Sequence, residues 1–231
     1  MVVKKVFIIV PVYNEEKYVG RFIKDLFKEI RDIKKISQVV FVNDGSKDRT
    51  RDIILSEKIK YSKIRLIDLP KNSGKGVAMK QGLKYAKKNN AGAIIFMDGD
   101  RQHSPKHIKD FLQAIEVSPI VFGYRVLLSA APTIRKAGNV IAGLIIRYLF
   151  NIKRRDILCG FIAIRADVFN KINWTSKGYG VEAEMSAVVG RKKIAFSELL
   201  VSTIYFDVKK GVTMKHALKI FLHLPLWYLK S

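Results

Sequence analysis

Two carboxylates separated by one residue, in Asp98-Gly-Asp-Arg-Gln102, are the sharpest chemical feature of this sequence. On a tight turn both side chains can face one point, where they repel each other unless a cation lies between them. A hard divalent cation, Mg²⁺ or Mn²⁺, takes carboxylate oxygens together with substrate phosphates. Gln102 can add a neutral oxygen or hold a water, so Asp98, Asp100 and Gln102 suit a metal ion bound to a diphosphate. Two further polar clusters stand earlier in the chain, Pro11-Val-Tyr-Asn-Glu-Glu16 and Asn43-Asp-Gly-Ser46. Asp44 can accept hydrogen bonds from a base or a ribose, and Tyr13 offers an aromatic face to a base. Each cluster taken alone is also good turn chemistry.

What gives them weight is the pattern of elements that positions them. Val6–Val10 is an all-apolar run, as expected of a strand covered on both faces. Glu15–Ile30 then places Val19, Phe22, Ile23, Leu26, Phe27 and Ile30 at a helical period. Further strands are expected at Gln38–Val42, Ile64–Leu69 and Ala93–Met97, with helices at Asp48–Lys58, at Gly74–Lys88 and from Pro105, a favoured first helical residue. Alternation of this kind predicts an α/β fold, with a mostly parallel sheet flanked by helices. In such sheets ligands bind outside the carboxyl ends of the strands. The three polar clusters follow the first, second and fourth strands, so they converge on one edge. The second half is less regular, with strands expected at Ile120–Phe122 and Phe161–Ile164, an apolar helix over Arg135–Phe150, and an amphipathic tail from Thr213 to Leu229. No repeat or linker divides the chain, so a single domain is expected. It comprises a nucleotide-binding half (1–123), an acceptor-binding half (124–211) and the tail (212–231).

The 231 residues carry 43 Lys and Arg against 20 Asp and Glu, a formal charge of +23. This excess favours anionic partners: phosphates, nucleic acid or membrane headgroups. With 48% hydrophobic residues the chain can bury a sizeable core, which excludes a disordered binder. Its one cysteine, Cys159, excludes an intramolecular disulfide framework and accords with a reducing compartment. Polar residues follow the first apolar run where a leader would need a cleavage site, and no run approaches the ~20 apolar residues of a spanning helix. Gly74-Lys-Gly76 lacks the first glycine and the Lys-Ser/Thr pair of a phosphate loop, and is expected to be a glycine-rich helix start.

The four segments Pro11-Val-Tyr-Asn-Glu-Glu16, Val42-Asn-Asp-Gly-Ser46, Asn72-Ser-Gly-Lys-Gly76 and Asp98-Gly-Asp-Arg-Gln-His103 resemble, in order and spacing, those of family-2 glycosyltransferases of the GT-A fold. The resemblance implies a nucleotide-sugar donor. Pro11, Tyr13, Glu15, Val42 and Asp44 would hold the nucleoside, Asp98, Gly99 and Asp100 the diphosphate and metal, with Gln102 a further ligand. Within that family the sequence is similar to the polyprenyl-phosphate (dolichyl-phosphate) mannose or glucose synthases. Its metal loop continues through His103-Ser-Pro105. Phe122-Gly-Tyr-Arg125 resembles the group's Gly-Ser-Arg segment, with Tyr124 in place of Ser. Asp156-Ile-Leu-Cys-Gly-Phe161 resembles its Asp-x-x-Ser-Gly-Phe segment, with Cys159 in place of Ser, and Arg135 a later phosphate-binding arginine. The resemblance implies Asp100, Arg125 and Arg135 as catalytic residues.

A phosphate acceptor also fits the residues directly. A phosphate monoester has a second pKa of ~6 and is already anionic at neutral pH, so it needs positioning and charge neutralisation more than deprotonation. Arg125, Arg135 and the cluster Lys209, Lys210 and Lys215 supply charge. Glu182 and Glu184 leave a hydroxyl acceptor open, because a base helps an alcohol attack; otherwise they form a solvated helix start. A non-catalytic nucleic-acid binder would account for the charge, but not for Asp44, Asp98 and Asp100 at strand ends. The expectation is a cytoplasmic enzyme at the cytoplasmic face of a membrane, with no obligate protein partner and no nucleic acid. Its tail would be either packed on the core or laid on anionic lipid with Trp227 and Tyr228 at headgroup depth, and Val140–Tyr148 would offer a second contact.

Overall fold

A computed structural model describes residues 3–125, 143–178 and 180–202, together with Leu224 and Trp227. The expected Arg135, the lysines at 209, 210 and 215, and most of the tail lie outside the described residues. The first half runs β1 (Val6–Val12), α1 (Val19–Ile30), β2 (Ile36–Asn43), α2 (Thr50–Lys60), β3 (Ile64–Asp68), α3 (Lys75–Lys88), β4 (Ala93–Phe96) and α4 (Ile108–Val117), the last entered through a 3₁₀ turn at Pro105–His107. The second half adds β5 (Ile120–Tyr124), a helical stretch at 143–150, β6 (Ile162–Arg165), α5 (Val181–Arg191) and β7 (Ser197–Leu200). Among the described residues these strands form one sheet in the order β3-β2-β1-β4-β6-β5-β7. β6 runs antiparallel to both its neighbours and the other pairings are parallel.

The sheet is buried on both faces because β1 is apolar at every position from Val6 to Val10. Phe7 and Ile9 join one core layer with Ala78, Met79 and Leu83 of α3 and Val181, Met185 and Val188 of α5. Ile8 and Val10 join the other, with Phe22, Ile23 and Leu26 of α1 and Ile108 and Phe111 of α4. All six apolar residues expected on α1 are buried. The helix starts at Val19 and not at Glu15, because Asn14 adopts φ +54° and the Glu15 and Glu16 N–H groups donate to Thr50 Oγ1 and Asp48 Oδ2. α2 likewise starts at Thr50 and not at Asp48, whose carboxylate accepts the Thr50 N–H. Two tail residues are described, and both are buried in the core layer on the α3 and α5 side. Trp227 is 4% exposed, not at headgroup depth, and its carbonyl accepts from Arg191 Nη1 at 3.0 Å.

The contact between α3 and β1 sets where the α3 N-terminus, and so Lys75, meets the strand ends. At Gly82 an added Cβ would lie 2.3 Å from Ile9 Cγ2, in a wholly buried strand with no room to yield. Gly82→Ala should therefore destabilise the protein by about 2 kcal/mol. Overpacking costs about 1–3 kcal/mol, and the gain in helix propensity, about 1 kcal/mol, does not offset it. Urea unfolding checks this, and a variant at least as stable as the parent would show slack in the contact.

Candidate active site

The carboxyl ends of β1, β2 and β4 lie side by side, and the three polar clusters meet there. The first two loops are stitched together: Asn14 N–H donates to Ser46 Oγ at 3.0 Å, and Lys47 N–H to Asn14 Oδ1 at 2.9 Å. This leaves Tyr13 exposed at the rim and Pro11 half-buried beneath it. Val42, expected beside the nucleoside, is wholly buried in the core below the edge. Asp44 is buried, and its two oxygens accept the N–H groups of Ser73 and Gly74 at 2.7 and 2.8 Å. It thus fixes the loop that leads into α3. Gly45 permits this approach: its φ is +67°, and a Cβ there would lie 2.4 Å from the Lys71 carbonyl carbon.

That loop delivers the residue that sequence reasoning missed. Lys75 Nζ lies 2.6 Å from Asp98 Oδ1 and 2.6 Å from Glu182 Oε1. Burial alone would lower the lysine's pKa, but the two carboxylates outweigh it and raise it, so Lys75 stays charged. Burial likewise pushes Asp98 upward, and the Lys75 charge and hydrogen bond outweigh it and hold Asp98 ionised. The repulsion expected at the Asp98–Asp100 pair is thus relieved in part by an ammonium from the protein itself. Glu182 and Glu184, expected as a solvated helix start, are both buried. Burial raises the Glu182 pKa despite Lys75. Glu184 accepts the N–H groups of Thr175 and Ser176 at 2.8 and 2.7 Å. It thereby holds the 172–178 segment against α3, where the Lys177 carbonyl accepts the Gly76 N–H at 2.7 Å.

Asp100 sits one turn away, with Oδ1 accepting the Gln102 N–H at 3.0 Å. Arg101 between them adopts φ +66° and reaches Asp25 of α1 at 3.3 Å, which braces the loop from the other side. Gly99 packs tightly, since a Cβ would lie 2.8 Å from Val12 Cγ1. Among the described residues no three His, Cys, Asp or Glu side chains cluster as a metal site. The donor set of two carboxylates and an amide is all oxygen, which suits a hard cation that takes its remaining ligands from a diphosphate.

Past the end of β5, Asp156 takes Arg125 Nε at 2.6 Å and Nη2 at 3.1 Å. Arg125 is therefore a rigidly held charge, its guanidinium gripped by a carboxylate through Nε and Nη2, and not an open fork. Beneath it lies Arg154, a second unanticipated residue. Its guanidinium is buried 3.7 Å over the Phe122 ring and donates to Ser186 Oγ and the Asp156 carbonyl. Burial lowers its pKa to about 10, which still leaves it charged. Cys159 is buried beside His103, and burial pushes its thiol up to about 12, so it is no nucleophile at neutral pH.

The model of Glycosyl transferase family 2 matches residues 7–173. The chain belongs to that family. A relative in Methanocaldococcus jannaschii, an uncharacterized protein, is 34% identical over 92% of this chain and 94% of its own length. The UDP-N-acetylglucosamine–dolichyl-phosphate N-acetylglucosaminyltransferase of Methanococcus voltae is 27% identical over 96% of this chain and 95% of its own. The undecaprenyl-phosphate mannosyltransferase of Micrococcus luteus is 27% identical over 79% and 76%. Among solved structures, glucosyl-3-phosphoglycerate synthase of Mycobacterium tuberculosis, in complex with Mn²⁺, UDP and glucosyl-3-phosphoglycerate, superimposes with a TM-score of 0.72 at 15% identity. That match covers 97% of this chain and 80% of the other, and it shows the GT-A fold. In this fold the loop after β4 and the buried Glu182 of α5 meet at Lys75.

His103 in this family-2 site is buried with Nδ1 3.8 Å from Asp98 Oδ2. Burial lowers its pKa to about 4, so it is neutral at pH 7 and Lys75 carries the compensation of Asp98. In the unfolded chain it takes a proton near 6.5. Between these values the unfolded state binds more protons, so stability falls as pH falls from 6.5 to 4. Relative to a His103→Gln variant, the parent should lose up to about 3 kcal/mol over that window. Urea unfolding in EDTA at both ends measures it, and parallel pH profiles would contradict it.

Proposed function

We propose that this glycosyltransferase moves a hexose from a GDP- or UDP-linked donor to a polyprenyl phosphate such as dolichyl phosphate, with inversion at the anomeric carbon. The observation that carries the choice of acceptor is the engagement of every buried acid described on the acceptor side. Glu182 is held by Lys75, Glu184 by Thr175 and Ser176, and Asp156 by Arg125. None is disposed as the general base that an alcohol acceptor favours. A phosphate oxygen, already ionised, attacks the anomeric carbon as the bond to the nucleoside diphosphate breaks, and no proton need be removed. Arg125, set by Asp156, and Arg135 supply the charge that steadies the acceptor. The relatives named for dolichyl and undecaprenyl phosphate support the same class.

On the donor side Tyr13, Pro11 and Glu15 would hold the nucleoside, with Asp44 fixing the loop and Val42 the strand end that support them, and Asp98, Gly99 and Asp100 would hold the diphosphate. Asp98, Asp100 and Gln102 are the residues that would hold Mg²⁺ or Mn²⁺. The ion's chemistry there is neutralisation of the charge that gathers on the departing diphosphate. The fold neighbour crystallised with Mn²⁺ and UDP supports this assignment. No helix among the described residues is long and apolar enough to cross a membrane. The 143–150 helix exposes Leu144 and Tyr148 on either side of Arg147. With the +23 charge, this favours docking on an anionic lipid surface, where the acceptor resides.

The test is transfer from a panel of radiolabelled nucleotide sugars to polyprenyl phosphate in anionic vesicles, followed by organic extraction. Label should enter the organic phase, and less of it as salt screens the surface attraction. Asp100→Asn should lower turnover on the order of 10²–10³-fold while the protein stays folded, since several kcal/mol of charge stabilisation is lost. Label confined to aqueous products, or full activity of Asp100→Asn in EDTA, would overturn the assignment.

A further inference from the structure

Lys75 stands where a cation would be expected. Its Nζ lies 2.6 Å from one oxygen of Asp98 and 2.6 Å from one oxygen of Glu182, and both side chains it bridges come from elements far apart in sequence. Metal–oxygen distances for Mg²⁺ are about 2.1 Å, so these two oxygens would need to close by only about 0.5 Å each to grip a small divalent ion instead. The position is built with care around the lysine. A Cβ at Gly160 would lie 2.8 Å from Lys75 Nζ and 2.9 Å from Asp98 Oδ2, so a side chain there would have to displace the ion pair. The flanking residues are locked as well: a Cβ at Gly74 would meet the Lys177 carbonyl oxygen at 2.4 Å, and one at Gly76 the Ser176 carbonyl oxygen at 2.1 Å. Trp174 Nε1 donates to the Gly76 carbonyl at 2.8 Å. The backbone on both sides of Lys75 is thus fixed by the segment that Glu184 holds.

We propose that Lys75 is a resident cation and a positioning residue: by filling the space between Asp98 and Glu182 it confines the divalent metal to the Asp100 side and ties α5 to the donor loop. The proposal rests on the metal site assigned above. It gives Glu182 a purpose other than catalysis, because a carboxylate on each side of the ammonium leaves Lys75 no second resting place. It also predicts what happens when the ammonium is removed. The buried Glu182 and the partly buried Asp98 then face one gap sized for a small cation, and a metal ion should enter it.

The experiment is titration with Mn²⁺, followed by electron paramagnetic resonance of the free ion, with and without GDP or UDP. The proteins are the parent, Lys75→Met, Lys75→Met with Glu182→Gln, and Asp100→Asn. Lys75→Met should bind one more Mn²⁺ per chain than the parent, without nucleotide, and the added Glu182→Gln should remove that ion. A folded Lys75→Met with the parent's stoichiometry, or an extra ion that survives Glu182→Gln, would overturn the proposal. If Lys75→Met unfolds without metal, Mn²⁺ should restore its circular dichroism and raise its thermal midpoint, because an ion that binds only the folded state stabilises it. No response to Mn²⁺ would also overturn the proposal. The metal assignment is read separately: if the parent binds no Mn²⁺ with nucleotide and Asp100→Asn changes nothing, that assignment fails, whatever Lys75→Met does.

Discussion

A single ammonium, that of Lys75, holds together the parts of this molecule that must act together. It joins the loop after β4, which carries Asp98, to the start of α5, which carries Glu182. Three ionisable groups are withdrawn from water in whole or in large part to do so. The desolvation of buried ions is large enough that such groups seldom increase stability over a well-packed apolar alternative. The arrangement is better understood as a device for position and charge. Asp98 stays ionised at the strand end, and α5 is registered on the loop after β4.

The rest of the edge serves the same end. Asp44 is spent on the backbone of Ser73 and Gly74, and Glu184 on that of Thr175 and Ser176. Both carboxylates therefore act on loops, and the loops act on Lys75. Arg101, in the left-handed region and tied to Asp25, sets the neighbouring Asp100 from the opposite face of the sheet. Past the end of β5 Asp156 pairs with Arg125 while Arg154 sits beneath, so positive charge is held without the freedom of a surface side chain. Charges held in place before substrate arrives need no reorganisation when the reaction's own charge develops.

The first half of the fold was legible because its signals are local. The apolar period of α1, the continuous run of β1 and the turn residues after β1, β2 and β4 each show in a short window. What eluded the sequence is long-range. Gly74-Lys-Gly76 has the composition of any glycine-rich helix start, and nothing nearby reveals that its lysine meets Glu182. Glu182 and Glu184, separated by one residue at a helix start, have the pattern of a solvated turn; their burial follows from the 172–178 segment folding over them. β7 escaped notice because Ser197–Leu200 is short, pairs among the described residues with β5 alone and is partly exposed, so it has neither alternation nor an apolar run. Trp227 has the composition of an interfacial anchor, yet it is buried in the core layer. Composition alone cannot distinguish an aromatic that seeks lipid from one that seeks a core.

The proposed acceptor chemistry is that of a phosphate, which brings its own negative charge and so needs no base. Its most direct test offers polyprenyl phosphate and the matching free polyprenol to the enzyme in the same vesicles, with a saturating labelled donor, across pH. Transfer should go to the phosphate alone, with a rate that levels off above about pH 7, once the second phosphate ionisation near ~6 is complete. Comparable transfer to the free alcohol, rising with pH through a carboxylate's range, would contradict it and return Glu182 or Glu184 to the role of base.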